Sequence, residues 1–389
     1  MSRPVLGGLV DRSAEWVKAV ENGRLQTPKL PMLTRIASVL EIRDLAQLTD
    51  DGEAVPTSKF APGPAHGALH EVRAALTEHR LVPDARPESL PHLAERLAAA
   101  WEVRHSSPDH RTQLAKLLPG LIRDAQRAAR ANAVERRQAR RILAGVYRLA
   151  DFYVAFQPAP ELVWLVADRA VSEAEEADDP YAVAGGAWAL VQALREAGRW
   201  DEALNAAENA VARLEPHVES GPDDWAGMVG ALRAEQALTC ARKGRHGEAW
   251  RYWHEAENVA RRLGPDYRHV QTSFGIPVMR ANAVTLGVEL RRSGEALQAA
   301  NSLHANDIRS VPRRSRHLIE VARAHEQQGD RISTLAVLDR AERTAPETVQ
   351  FNGWAKQLTH ALLDRPPTGE SASGGLTTVR DLAGRIGIP

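Results

Sequence analysis

WALVQALREAGRWDEALNAAENA, residues 188–210, decides the fold of this chain. Gly198 divides it. Glycine reaches the left-handed conformation that closes a helix without steric cost, so one helix ends there and a second begins within a few residues. Ala203 and Ala210, five and twelve residues after the glycine, are small enough to let the second helix lie close against the first. Similar windows are TCARKGRHGEAWRYWHEAENVA around Gly244, GVELRRSGEALQAANSL around Gly294 and ARAHEQQGDRISTLAVLDRAE around Gly329. Five after those glycines stand Ala249, Ala299 and Thr334; seven further on stand Ala256, Asn306 and Ala341, the asparagine breaking the rule. The glycines are 46, 50 and 35 residues apart, so the helices are long or their loops carry insertions.

Around these windows the chain reads as helix after helix from about 68 to 363, punctuated by SSPD (106–109), QPAP (157–160), DDP (178–180), ESGPDD (219–224), LGPD (263–266), SVP (310–312) and AP (345–346). The chain is rich in Ala, Arg, Leu and Glu, which are strong helix formers, and no convincing strand-like alternation occurs. The expected class is all-α. Segments 110–130, 134–156 and 160–177 read as degenerate earlier helices of the same stack. The helix–glycine–helix spacing resembles the tetratricopeptide repeat, whose antiparallel helix pairs stack into an α-solenoid.

At 389 residues the chain is too long for one core. Residues 1–50 form one small unit. The run DDGEAVPTSKFAPGPAHG (50–67) combines three prolines with three glycines and reads as a linker over 51–67. The repeat domain spans 68–363, a second linker 364–375, and LTTVRDLAGRIGIP ends the chain as a short amphipathic helix, exposed or docked, within 376–389.

Three helices are expected at the N-terminus. Pro4–Val10 carries proline in its first turn, where a missing amide proton costs nothing. Asp11 and Arg12 turn the chain, Ser13 caps Ala14–Asn22, Gly23 ends it, and Leu30–Glu41 follows with Leu33, Ile36, Ala37 and Leu40 at helical spacing, with a further piece, Arg43–Thr49, after it. The stretch LGGLVDRSAEWVKAVENGRLQTPKLPMLTRIASVLEIRDLAQL resembles the repressor-type (XRE family) helix-turn-helix domain, through Val20-Glu21-Asn22-Gly23 and through Pro28, Leu33, Ile36, Ala37 and Leu40. It covers that pattern's second to fifth helices; the first would precede Met1. Gly7 and Asp11 stand where the family usually has Ala and Gly.

The resemblance implies that Ala14–Asn22 enters the major groove of double-stranded DNA, with Ala14, Glu15 and Lys18 at base edges. Arg3, Ser13, Asn22, Arg24 and Lys29 would touch phosphates, which position the domain without reading sequence. Leu6, Leu9, Val17, Val20, Leu33, Ile36 and Leu40 would form the core. Without the first helix, Leu6, Val10, Ile36 and Leu40 would lose a packing partner.

A repressor-type domain joined to a tetratricopeptide-like array resembles peptide-responsive transcription regulators. That implies a homodimer whose repeat groove takes a peptide or protein ligand. The groove residues would be Trp188, Gln192, Arg195, Arg242, Arg291, Arg292, Ile319 and Arg323, with Asn282 one residue out of register. The alternative is a repeat-built interaction scaffold that has lost DNA binding.

Other classes fit poorly. Lys+Arg and Asp+Glu both number 50, which excludes a globally basic nucleic-acid coat. Gly185, Ala189, Ala231 and Glu235 occupy the places where a carboxylate clamp needs Lys, Asn and Arg. The basic run 123–141 reads as a solvated face, and Trp225, Trp250 and Trp253 as gap fillers. His66 and His70 stand four apart with no third metal ligand nearby, Cys240 is alone, and no phosphate loop or nucleophile elbow appears. The chain is therefore expected to be no enzyme, to need no cofactor, to cross no membrane and to be cytoplasmic.

Overall fold

The computed structural model describes residues 2–22, 30–40, 65–78, 87–131, 135–365 and 372–388, and they are helical throughout, with no strand among them. Contacts divide the chain into two units, Met1–Gly63 and Pro64–Pro389. Both proline- and glycine-rich linkers fall largely outside the described residues.

In the first unit, α1 (Arg3–Leu9) and α2 (Ala14–Glu21) pack on each other, followed by α3 (Leu30–Val39). Asp11 makes the turn in the left-handed region at φ 58°. Gly7 is the close-approach point: a Cβ there would lie 2.6 Å from the Arg12 carbonyl oxygen, so alanine would force the two helices apart. Val10, Val17, Ile36 and Ala37 form the buried core. Two expectations change here. Leu9 points to solvent rather than into the core, and Val10 takes its place, fully buried. Leu6, Val20, Leu33 and Leu40 are half-buried.

The second unit begins with α4 (Leu69–Thr77) and continues as antiparallel pairs. They are α5 (Leu90–Ser106) with α6 (His110–Ala131), α7 (Arg136–Val154) with α8 (Pro160–Glu176), α9 (Pro180–Glu196) with α10 (Trp200–Leu214), α11 (Asp223–Arg242) with α12 (His246–Leu263), α13 (Ile276–Glu289) with α14 (Ser293–Asn301), and α15 (Val311–Gln327) with α16 (Arg331–Thr344). The short α17 (Pro346–Gln350), α18 (Gly353–Asp364) and α19 (Ala372–Ile386) close the C-terminal end. Helix α19 is docked: Val379, Leu382, Ala383 and Ile386 share a core with Leu318, Leu338 and Leu358.

Four of the pairs turn with one geometry. Gly198, Gly244 and Gly329 stand at φ 74°, 72° and 77°. Around each, the next residue's amide bonds back to a carbonyl five residues earlier: Arg199 to Leu194, Arg245 to Cys240 and Asp330 to His325, at 2.9–3.0 Å. This is the double-bonded left-handed helix stop. In the third pair the same geometry falls on Arg291 at φ 59°, with Arg292 bonding to Gly287 at 2.7 Å. The expected anchor there was Gly294, which instead lies inside α14.

Moving the register by three residues restores a small buried residue at the first of the two positions. Five after the turn, Ala203, Ala249, Ala296 and Thr334 are all buried, whereas Ala299 is half-buried; twelve after it, Ala210, Ala256, Leu303 and Ala341 are buried too. The two helices of the third pair approach closely at Gly287. A Cβ on Gly287 would stand 2.9 Å from the Ala296 Cβ and 3.0 Å from its backbone nitrogen. Gly287→Val is therefore expected to destabilise the protein by about 1–3 kcal/mol, the usual cost of overpacking. Gly294→Ala has open space around it and gains helix propensity, so about 0.5 kcal/mol of stabilisation is expected. Urea unfolding of the two variants checks both signs; equal effects would return the turn to Gly294.

Candidate functional site

The first helix of each pair lines an inner face: α5, α7, α9, α11, α13 and α15 contact one another in that order, and α15 then returns to α5. The solenoid closes on itself. Side chains seal the junction. His105 Nδ1, at the end of α5, lies 2.9 Å from the Ser310 hydroxyl that precedes α15, and 3.3 Å from the Ser273 hydroxyl. Glu347 on α17 accepts the backbone N–H of Arg111 at 2.6 Å and that of Thr112 at 3.2 Å, and also takes the Thr112 hydroxyl. These are orphan donors of the first turn of α6, so a carboxylate from the far end of the domain caps that helix. The Arg111 guanidinium donates to the carbonyls of Phe152 and Tyr153 at 3.2 and 2.6 Å and lies over the Phe351 ring.

Closure converts the groove into a lumen with two connected chambers. The first is lined by Gln192 and Arg195 from α9, Glu235 from α11, Asn282 from α13, and Arg313, Arg316, His317 and Glu320 from α15. Much of its charge is matched: Arg195 is buried against Glu235, and Arg242 reaches Glu196 at 2.7 Å and Glu289 at 3.6 Å. Arg323 joins Glu320 at 2.6 Å to Glu289 at 3.1 Å. The second chamber, about 70 Å3, has Arg104, His105, His110, Arg111, Asp151, Phe152, Phe156, Trp188, Gln192, Arg313 and Arg316 among its walls. Here cations outnumber acids. Burial pushes Arg104 down to about 9, helped by repulsion from Arg111, Arg313 and Arg316. Burial likewise lowers Arg313 to about 10, with Arg316 adding to the effect. Asp151 is raised to about 7 by burial, so only about half of it is ionised near neutrality and it neutralises less than an ordinary carboxylate.

The expected groove residues divide accordingly. Trp188, Gln192, Arg195 and Asn282 line the lumen. Arg242 and Arg323 belong to the ion-pair network beside it. Arg291 and Arg292 do not line either chamber; both are exposed at the α13–α14 turn, because the true register of that pair lies three residues earlier. Ile319 is core. With Arg291 as anchor, Asn282 falls into register: it stands nine residues before its turn, as Glu235 and Glu320 do before theirs, and all three face the first chamber. Sequence reading passed over Arg104, His105, His110, Arg111 and Asp151, since only the closure of α5 on α15 gathers residues of α5, α6, α7 and α15 around one space. Arg313, Arg316 and Glu320 were findable, on one α15 face at three- and four-residue spacing.

In the N-terminal unit, Ser13 caps α2 by accepting the Trp16 amide at 3.1 Å. Glu15, Lys18 and Asn22 are exposed and Ala14 half-buried on the same helix. Arg3 holds Glu21 at 2.6 Å. Arg24 and Lys29 lie outside the described residues.

No protein-family model matches the chain, and no curated protein matches it. Among solved structures, the crystal structure of BtubC (BKLC) from P. vanneervenii is 17% identical over 72% of this chain and 95% of that one, with a TM-score of 0.37. So distant a likeness says nothing of what this chain does.

Other sequence candidates resolve structurally. His66 is tied to Thr112 at 3.1 Å and to the Tyr153 hydroxyl at 2.9 Å, and His70 is exposed. No cluster among the described residues suits a metal ion, and none of their helices is long and apolar enough to cross a membrane. In the basic run, Arg123, Arg127, Arg136, Arg137, Arg140 and Arg141 each pair with an acid. Trp253 packs in the core and donates to the Met279 carbonyl at 2.9 Å, and Trp225 stacks on Tyr181.

Proposed function

We propose that this chain is a DNA-binding transcription regulator whose repeat domain senses a ligand in its lumen and mediates homodimerisation. The observation that carries the reading is the pairing of two features in one chain. One is a short capped helix, α2, that leaves Glu15 and Lys18 free on its solvent face after a tight turn. The other is a helical-repeat domain with a polar inner chamber rather than a packed centre. A peptide or protein segment entering the lumen would meet Asn282, whose amide makes only a 3.9 Å contact with the Met279 sulfur and is free to grip a peptide backbone. Two half-sites on DNA call for two copies of the chain, hence the homodimer.

The second reading, an interaction scaffold without DNA binding, draws on α1. Val5 and Leu9 are 52% and 51% exposed there, an apolar strip unusual on a small DNA-binding unit. Salt titration of the full chain against DNA from around its own gene separates the two. The regulator gives binding that weakens steeply with salt, and Lys18→Ala weakens it about threefold to tenfold. No DNA binding at any salt concentration would leave the scaffold.

A further inference from the structure

The second chamber holds more positive charge than the fold uses. Arg104 stacks on Phe152, with its guanidinium carbon 4.6 Å from the ring centre, and Arg316 covers Phe156 at 5.2 Å. Aromatic faces hold these cations in place without neutralising them. Neither arginine, nor Arg313, makes an ion pair among the described residues. Nε and Nη1 of Arg104 and Nε of Arg111, both wall residues of this chamber, have no hydrogen-bond acceptor among the described residues. Arg111 is only 4% exposed, so bulk water does not serve its Nε freely.

A buried polar group without a partner costs stability, and several like charges cost more. Such an arrangement persists where an absent partner supplies the missing acceptors. That partner must be anionic, rich in acceptor oxygens and compact. The chamber's space of about 70 Å3 exceeds the ~10–15 Å3 that one water takes up on the same measure, and it suits a small tetrahedral ion better than an extended chain. A wider opening, about 490 Å3, lies outside this ring beside residues 265–280, but two of its arginines already face acids, Arg268 to Glu102 at 3.9 Å and Arg309 to Asp266 at 4.0 Å.

We propose that the chamber binds a phosphate-type oxyanion, free or carried on a small ligand, gripped by Arg104, Arg313 and Arg316. Arg111 supplies a further donor, and His105 and His110 stand in the wall beside it. Planar guanidinium forks match phosphate oxygens in pairs, which a lone ammonium does not. The site spans α5 and α15, so an anion bridging them holds the ring shut. This deepens the sensing function proposed above and rests on it only for the step from binding to DNA affinity.

The test is calorimetric titration of the full-length protein with inorganic phosphate, with sodium chloride at equal ionic strength as reference, and parallel melting curves. Saturable binding and a phosphate-specific rise in Tm are expected. Arg104→Gln and Arg313→Gln each weaken binding about tenfold or more, whereas Arg137→Gln, on an exposed surface, leaves it unchanged. In phosphate-free buffer Arg313→Gln is expected to melt higher than the parent, because a repelling charge is gone; a merely structural arginine would lower Tm. Adenosine monophosphate binding more tightly than phosphate would show that the phosphoryl group arrives on a ligand, and equal affinities that the free ion suffices. No saturable heat from either probe, or undiminished binding by both variants, overturns the proposal. If phosphate binds but leaves DNA affinity unchanged, the site stands and the sensing function falls.

Discussion

Glu347→Ala is expected to cost about 3–5 kcal/mol of unfolding free energy, the range for removing one partner of a buried charge arrangement. The carboxylate accepts two backbone N–H groups and a hydroxyl at the start of α6 and offsets the nearby Arg111 charge. Alanine leaves those donors bare and Arg111 uncompensated. Both sit at the seam where the last helices meet the first, so the loss falls on ring closure. Glu347→Gln keeps an oxygen for one amide but not the charge, and a smaller loss is expected. Urea unfolding measures the free energy, and small-angle scattering reports whether the domain expands. A loss below about 1 kcal/mol, the scale of an exposed ion pair, would mean that the solenoid stands open in solution.

The second large effect is acid lability. Burial pushes His105 and His269 down to about 3 and His317 to about 4, and lowers His110 further still. His269 shows why: its Nδ1 accepts the Thr272 amide at 3.1 Å, so a proton there would break the bond. A histidine depressed in the folded state leaves the unfolded chain to bind the proton first. Its stabilisation is complete above the unfolded value near 6.5 and is lost as pH falls from there toward the folded value. Each such group removes up to about 2 kcal/mol between pH 6.5 and 5. Asp151, raised to about 7 by burial, acts in the opposite sense over the same window, since the folded protein binds its proton first, and Glu320, also raised by burial, acts in that sense too. Four histidines outweigh two acids, so the urea midpoint is expected to fall between pH 7 and pH 5. His269→Gln should flatten that slope by up to about 1.4 kcal/mol per pH unit. A midpoint that rises on acidification would mean that the buried acids dominate.

Much of the helical architecture was legible because it is local. A residue with no side chain stops a helix wherever it falls, and Gly198, Gly244 and Gly329 do so with nearly identical dihedrals. The rule failed at Arg291, where a non-glycine residue takes the left-handed turn while Gly294, three residues on, looks like the obvious stop. The cue that outranked it was Gly287 facing Ala296, a packing relation across the pair that no count along one helix displays. In the N-terminal unit, the turn at Asp11 and the Ser13 cap were equally local, whereas the exchange of Leu9 for Val10 in the core depended on how α1 leans on α2.

The ligand-facing residues divide along the same line. Gln192, Arg195 and Asn282 lie on helices whose inward face follows from the repeat itself. Arg104, His105, His110 and Arg111 come from the opposite end of the domain and reach Arg313 and Arg316 across about two hundred residues of chain. Spacing along a chain encodes helix ends, caps and the faces that pairs present to each other, because those depend on backbone sterics and neighbours within a few residues. Whether such a stack stays an open spiral or bends into a ring depends on small rotations accumulated over many pairs. Here the sum brought Glu347 to the start of α6 and His105 to Ser310, and only that meeting made a charged chamber out of arginines that look solvent-facing on their separate helices.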